Sequence, residues 1–125
     1  MTTITAMTLT DSLAPARRLA VARLRSVRTL RARFLPAHLF ADPSWDMLLD
    51  LYDAELAGLQ VNVTILSVSA SLPLTTALRR LEVLEERGLV SRFEDPGDRR
   101  KTMVRLTGAG LGAMEAFFDH YVAQG

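Results

Sequence analysis

Residues 61–110 read VNVTILSVSASLPLTTALRRLEVLEERGLVSRFEDPGDRRKTMVRLTGAG. Asn62 stands where it can cap a short helix from Val63 to Ala70, because its side chain accepts a bond from an orphan N–H of the first turn. Ser71-Leu72-Pro73 forms a tight connection. A longer periodic segment runs from Pro73 to Arg87 and stops at Gly88, the residue type that accepts the left-handed backbone just past a helix end. Pro73 suits the first helical turn, where a missing N–H does no harm. Two short helices joined this closely predict a helix-turn-helix.

The next residues extend that reading. Leu89-Val90-Ser91-Arg92-Phe93 and Thr102-Met103-Val104-Arg105-Leu106 alternate at the strand period. Between them lies Glu94-Asp95-Pro96-Gly97-Asp98-Arg99-Arg100-Lys101, a turn signal followed by three consecutive basic residues. Gln60 to Asn62 is read as a short first strand pairing with this hairpin. The predicted fold class is therefore mainly α with a small β hairpin, a winged helix-turn-helix.

The same stretch carries a family resemblance. Asp98-x-Arg100 is followed by Leu106-Thr107-x-x-Gly110, with Thr76, Leu84-Glu85 and Gly88-Leu89-Val90 upstream at matching offsets. This pattern resembles the MarR family of bacterial transcriptional regulators, well over Ser44 to Gly110 and loosely in the flanking helices. Arg80 departs from it, standing where the family usually carries an apolar residue. The resemblance implies a cytoplasmic regulator that binds double-stranded operator DNA as a homodimer, with N- and C-terminal dimerisation helices flanking the winged helix-turn-helix. It implies that the Asp98-x-Arg100 unit holds the wing arginine toward the minor groove. Arg99 and Lys101 join them as wing candidates. It also implies a small-molecule effector bound between the dimer helices and the DNA-binding lobe. Phe34, Phe40, Trp45 and Tyr52 are candidate walls for that pocket, or plain core. Family members usually carry two helices after the wing, and this chain has room for one, which leaves the form of the dimer open.

On the Pro73–Arg87 helix, about 100° per residue places Leu74, Ala77, Leu78, Leu81 and Leu84 inward. Thr75, Thr76, Arg79 and Arg80 point outward with Val83. Residues in the N-terminal half of a recognition helix face base edges, and Thr hydroxyls and Arg guanidiniums are competent readers there. These four are the candidate major-groove contacts.

At 125 residues the chain has the size of one domain. The expected division is a Thr-rich, disordered start at 1–11 and a single winged helix-turn-helix domain at 12–125. Within it lie an N-terminal helix at 12–34, a DNA-binding lobe at 44–107 and a C-terminal helix at 108–123. On the first helix, Leu13, Leu19, Ala20, Leu24, Val27, Leu30 and Phe34 form the expected packing stripe. Arg17, Arg18, Arg25 and Arg28 lie opposite, and Arg23 intrudes on the stripe. The opposite face reads as solvated, or as basic groups meeting DNA phosphates, a membrane surface or the acidic segment that follows. Leu35 to Pro43 reads as a connection with one helical turn at Ala37–Phe40. Ser44 to Ala57 carries Trp45, Leu48, Leu49, Tyr52 and Leu56 on a core stripe. Asp46, Asp50 and Asp53 are expected on a solvated acidic face. On the last helix Leu111, Met114, Phe117, Phe118, Tyr121 and Val122 share one face, which closes the core or meets a second subunit.

Net charge is +1, but its distribution is uneven: residues 1–41 hold seven Arg and one acid, and residues 42–58 hold five acids and no base. There is no Cys, hence no disulfide framework or thiolate nucleophile. His38 and His120 lie far apart, so no metal site is expected. No convergent catalytic set or cofactor loop is present. Gly108, Gly110 and Gly112 lack the strand and the Lys of a phosphate loop. No apolar run is long enough for a membrane span. Arg17-Arg18-Leu19 resembles a twin-arginine signal, but Arg23, Arg25 and Arg28 interrupt any apolar export segment. An Arg-rich start also fits an organellar transit peptide. The alternative function is a winged-helix protein-interaction module without independent DNA binding, favoured by the near-neutral charge and by Glu94-Asp95 beside the wing.

Overall fold

The computed structural model describes residues 2–35 and 42–124, with the side chains of residues 14–30, 33–35 and 42–123. The elements are α1 (Thr2–Ala32), α2 (Ser44–Ala57), β1 (Val61–Asn62), α3 (Val63–Ser69), α4 (Leu74–Glu86), β2 (Val90–Asp95), β3 (Asp98–Leu106) and α5 (Gly108–Gln124). The three strands form one antiparallel sheet in the order β1-β3-β2. The fold class is the one expected from the sequence. The helical turn expected at Ala37–Phe40 lies outside the described residues, as does Phe40.

The local signals work as physics predicts. Asn62 Oδ1 accepts from the Ile65 N–H at 2.7 Å and caps α3. Gly58 and Gly88 take left-handed backbone at φ 70° and 74° where α2 and α4 end. Asp42 Oδ1 accepts from the Ser44 N–H at 2.9 Å at the start of α2. Thr107 Oγ1 accepts from the Gly110 N–H at 3.0 Å and donates to the Gly88 carbonyl at 2.6 Å, tying α5 to the turn after α4.

The core gathers Met47, Leu49, Leu51 and Tyr52 from α2 with Leu66, Leu81, Val104, Met114 and Phe118. Tyr52 stacks on Phe118 with ring centroids 5.1 Å apart. Trp45, expected in the core, is partly exposed and meets Phe117 edge-on at 4.9 Å.

Three expectations for the flanking helices need correction. First, α1 is bounded at Thr2 rather than at the Ser12 start expected for this helix. No glycine interrupts residues 2–11, and adding turns to an existing helix is far easier than starting one. Second, among the described apolar residues of α1, Ala20, Val21 and Leu24 pack inward. Leu19, Val27, Leu30 and Phe34 are exposed. Third, the aspartates of α2 are not a solvated face. The Asp50 side chain is 4% exposed and holds two arginines of α1. Arg25 Nε and Arg28 Nη2 donate to Asp50 Oδ1 at 2.8 and 2.9 Å. Arg25 Nη1 donates to Asp53 Oδ2 at 2.9 Å. Ser69 Oγ of α3 completes the node by donating to Asp50 Oδ2 at 3.0 Å. Arg17 pairs with Asp119 of α5. Charge pairing thus turns Arg17, Arg25 and Arg28 toward the protein, while Leu19, Val27 and Leu30 of the stripe stay outside.

Candidate nucleic-acid interface

The helix-turn-helix is α3 and α4. Its turn passes through Ser71, which adopts φ 57°. Ala77, Leu81 and Leu84 are buried, and they fix which side of α4 faces out. Thr75 and Arg79 are exposed, while Thr76 and Arg80 are half-buried. Arg80 lies close enough to Asp42 to help hold that carboxyl below its ordinary range, after the hydrogen bonds from Ser44. Arg80 therefore shares its charge with the start of α2, whereas Arg79 faces solvent. Leu74, expected inward, is 47% exposed at the first turn of α4.

The wing is β2 and β3 joined at Pro96-Gly97. Asp95 Oδ1 accepts from the Gly97 N–H at 2.9 Å and shapes that turn. Both strands reach further toward the tip than their period-2 runs indicate. The ladder pairs Glu94 with Thr102 but Asp95 with Asp98. One step on β2 thus spans Arg99, Arg100 and Lys101 on β3, and the basic triplet is a bulge. A bulge leaves its extra residues out of the ladder and re-aims their side chains. All three are exposed.

Asp98 holds one of the three. Arg100 Nε donates to Asp98 Oδ1 at 3.0 Å, and Nη2 donates to Oδ2 at 3.1 Å. The Arg100 backbone N–H adds a third bond to Oδ1 at 3.1 Å. The Arg100 side-chain bonds, then the backbone bond, hold the Asp98 carboxyl below its ordinary range. The same pairing raises the Arg100 guanidinium. The Arg100 side chain remains 90% exposed, so a fork bound on one edge presents its other edge outward. The wing base is braced by Arg92 Nε donating to Glu85 at 2.6 Å and Arg105 Nε donating to Glu55 at 3.1 Å.

Helix and wing meet at one cleft. Leu74 and Leu78 of α4 line it with Asn62, Thr64, Arg100 and Lys101, enclosing about 440 Å³. Three of the four aromatics expected as effector-pocket walls, or plain core, are among the described residues. Tyr52 is buried against Phe118, Trp45 sits on Phe117, Phe34 is exposed, and Phe40 lies outside the described residues. Among the described residues no helix is long and apolar enough to cross a membrane.

This geometry is a winged helix-turn-helix with α4 turned partly outward, and its fold is like that of MarR-type regulators. Three solved structures illustrate the likeness. The MepR–DNA complex of S. aureus is 19% identical, covering 82% of this chain and 77% of that one, with a TM-score of 0.58. MepR of S. aureus in a DNA-binding conformation is 16% identical over 99% and 80% of the two chains, also at 0.58. A probable transcriptional regulator from Pseudomonas aeruginosa is 24% identical over 77% and 78%, at 0.52. No family profile and no curated protein sequence matches the chain.

Proposed function

We propose that this protein is a sequence-specific DNA-binding transcriptional regulator of MarR type that works as a two-fold dimer in the cytoplasm. The observation that carries the proposal is the shared cleft between the exposed start of α4 and the basic bulge of the wing. Such a surface offers base-reading groups and phosphate-attracting charge on one side of the molecule. Thr75, Thr76 and Arg79 enter the major groove, with Arg80 at the edge of the contact. Arg100, oriented by Asp98, reaches the flanking minor groove, where narrow A·T-rich tracts concentrate negative potential. Arg99 and Lys101 contact phosphates.

The dimer would use the apolar side of α1, where Leu19, Val27 and Leu30 are exposed, with Phe34 just beyond it and the partly exposed aromatics Phe117 and Tyr121 of α5. Apolar surface of that extent on a small protein marks an interaction site. Two recognition helices then address half-sites about 34 Å apart. A small-molecule effector would act between the dimer helices and the DNA-binding lobe.

Selection of duplexes from a random pool by the purified protein tests the reading. The expected result is an enriched inverted repeat bound by a dimer. Recovery of unenriched DNA only would favour the protein-interaction alternative.

A further inference from the structure

Leu74 is the exception on α4. The helical wheel assigns it to the core with Ala77, Leu81 and Leu84, yet it is 47% exposed while those three are buried. It lines the cleft with Leu78, and the surrounding walls carry Asn62, Thr64, Arg100 and Lys101. An apolar wall inside a basic, hydrogen-bonding cleft fits a polyanion that also presents an apolar group. Duplex DNA does so at one place on its major-groove edges, the C5-methyl of thymine. Leu74 belongs to the first turn of α4, and the N-terminal residues of a recognition helix are those that reach base edges. Its side chain has no hydrogen-bonding group, so any base discrimination it provides comes from apolar contact alone.

We infer that Leu74 is a specificity-determining residue that packs on the C5-methyl of one thymine in each half-site, selecting T·A over C·G there. This rests on the DNA-binding reading above. Thr75 is the neighbouring candidate, since it carries a methyl group as well as a hydroxyl. The two are separable because Thr75→Ser deletes only the methyl, whereas Leu74→Ala removes the larger apolar surface next to it.

The test uses the full chain and the duplex it selects. Each thymine is replaced in turn by deoxyuridine, which lacks the methyl group and keeps every hydrogen-bonding atom. The wild-type protein should lose about fourfold in affinity per half-site at one position, the equivalent of one apolar carbon returned to water. Leu74→Ala should bind the thymine and uracil duplexes equally at that position, while Leu74→Met and Thr75→Ser keep the wild-type difference. Insensitivity of the wild type at every thymine overturns the inference. So does a difference that survives in Leu74→Ala, or one that vanishes in Thr75→Ser. Binding of the unsubstituted duplex is measured first, so failure of the DNA-binding reading is seen separately from failure of the thymine contact.

Discussion

Arg28 Nη2 lies 2.9 Å from Asp50 Oδ1, joining the first and second helices through a carboxylate whose side chain is almost wholly buried. Arg25 and Ser69 share that carboxylate. Removing one partner of a buried pair leaves an uncompensated charge and costs about 3–5 kcal/mol. Asp50→Ala should therefore destabilise the protein by an amount in that range. Asp53→Ala should cost about 1 kcal/mol or less, because that pair is partly solvated. Urea unfolding of the two variants checks the ranking, and similar losses for both would contradict it.

Gly110 and Gly112 predict opposite outcomes for the same substitution. A Cβ on Gly110 would lie 2.0 Å from the Leu89 carbonyl oxygen, while a Cβ on Gly112 meets nothing within 4 Å. Gly110→Ala must force α5 off the turn after α4, at a cost of about 1–3 kcal/mol or more. Gly112→Ala should stabilise by up to about 1 kcal/mol, the helix-propensity gain of Ala over Gly. Thermal unfolding distinguishes them by the sign of the shift in Tm.

The Tyr52 hydroxyl is buried with no hydrogen-bond partner among the described residues. Burial pushes its pKa up, opposed by Arg17 and helped by Glu115 and Asp119. A raised pKa means Tyr52 supports the fold fully below its ordinary value of about 10. That support fades as pH rises through the folded-state value. Tyr52→Phe keeps the ring stack on Phe118 and deletes an unsatisfied group, which is close to neutral or stabilising by about 1 kcal/mol. It should also flatten the loss of stability above pH 10. A clear loss of Tm in Tyr52→Phe at pH 7 would show that the hydroxyl has a partner.

Asp98 should titrate below the ordinary carboxylate range, and Arg100→Ala should return it upward, because the arginine's side-chain bonds are the largest cause of its depression. The sign follows from that direction: the pair's contribution is complete above the unfolded pKa and disappears as pH falls through the folded one. Carboxyl NMR titration reads both values. In DNA binding, Asp98→Ala should weaken affinity despite removing a negative charge, since Arg100 loses its orientation. Arg100→Ala should weaken it more than Arg99→Ala and lower the salt slope by about one unit. Tighter binding of Asp98→Ala to every duplex would mark Asp98 as a repulsive bystander.

Arg79→Ala should cost about 1–3 kcal/mol of specific binding and relax discrimination at one base pair. Arg80→Ala should cost less, because Arg80 is half-buried with its charge acting on Asp42. Equal losses for Arg79→Ala on specific and random DNA would make Arg79 a phosphate contact.

The helix-turn-helix and the wing were readable because their signals are local. Asn62 caps its own helix, Gly88 ends one, and Pro96-Gly97 turns a hairpin regardless of what lies across from them. The orientation of α1 was not readable from its apolar stripe. A helical wheel weighs hydrophobicity and ignores which charges wait on the neighbouring helix. The acidic segment was one of the partners the sequence offered for the arginine face, and complementary spacing selects it, with Arg25 and Arg28 one turn apart on α1 and Asp46, Asp50 and Asp53 along one side of α2. The bulge at Arg99–Lys101 depends on how two strands register, which no single strand declares. Leu74 was assigned inward by period alone, yet the first turn of α4 projects past the core.

Asn62 does two things at once: it pairs with Met103 in the sheet and caps α3. Val61 pairs with Val104 beside it. The chain between these partners contains the whole helix-turn-helix and most of the wing, so the edge strand closes a long loop around them. Closing such a loop has an entropic cost that local contacts cannot offset until the hairpin exists. Helix α4 and the wing should therefore be acquired in one late, cooperative folding step. A nascent chain released before Val104 would hold neither α4 nor the wing in its final place.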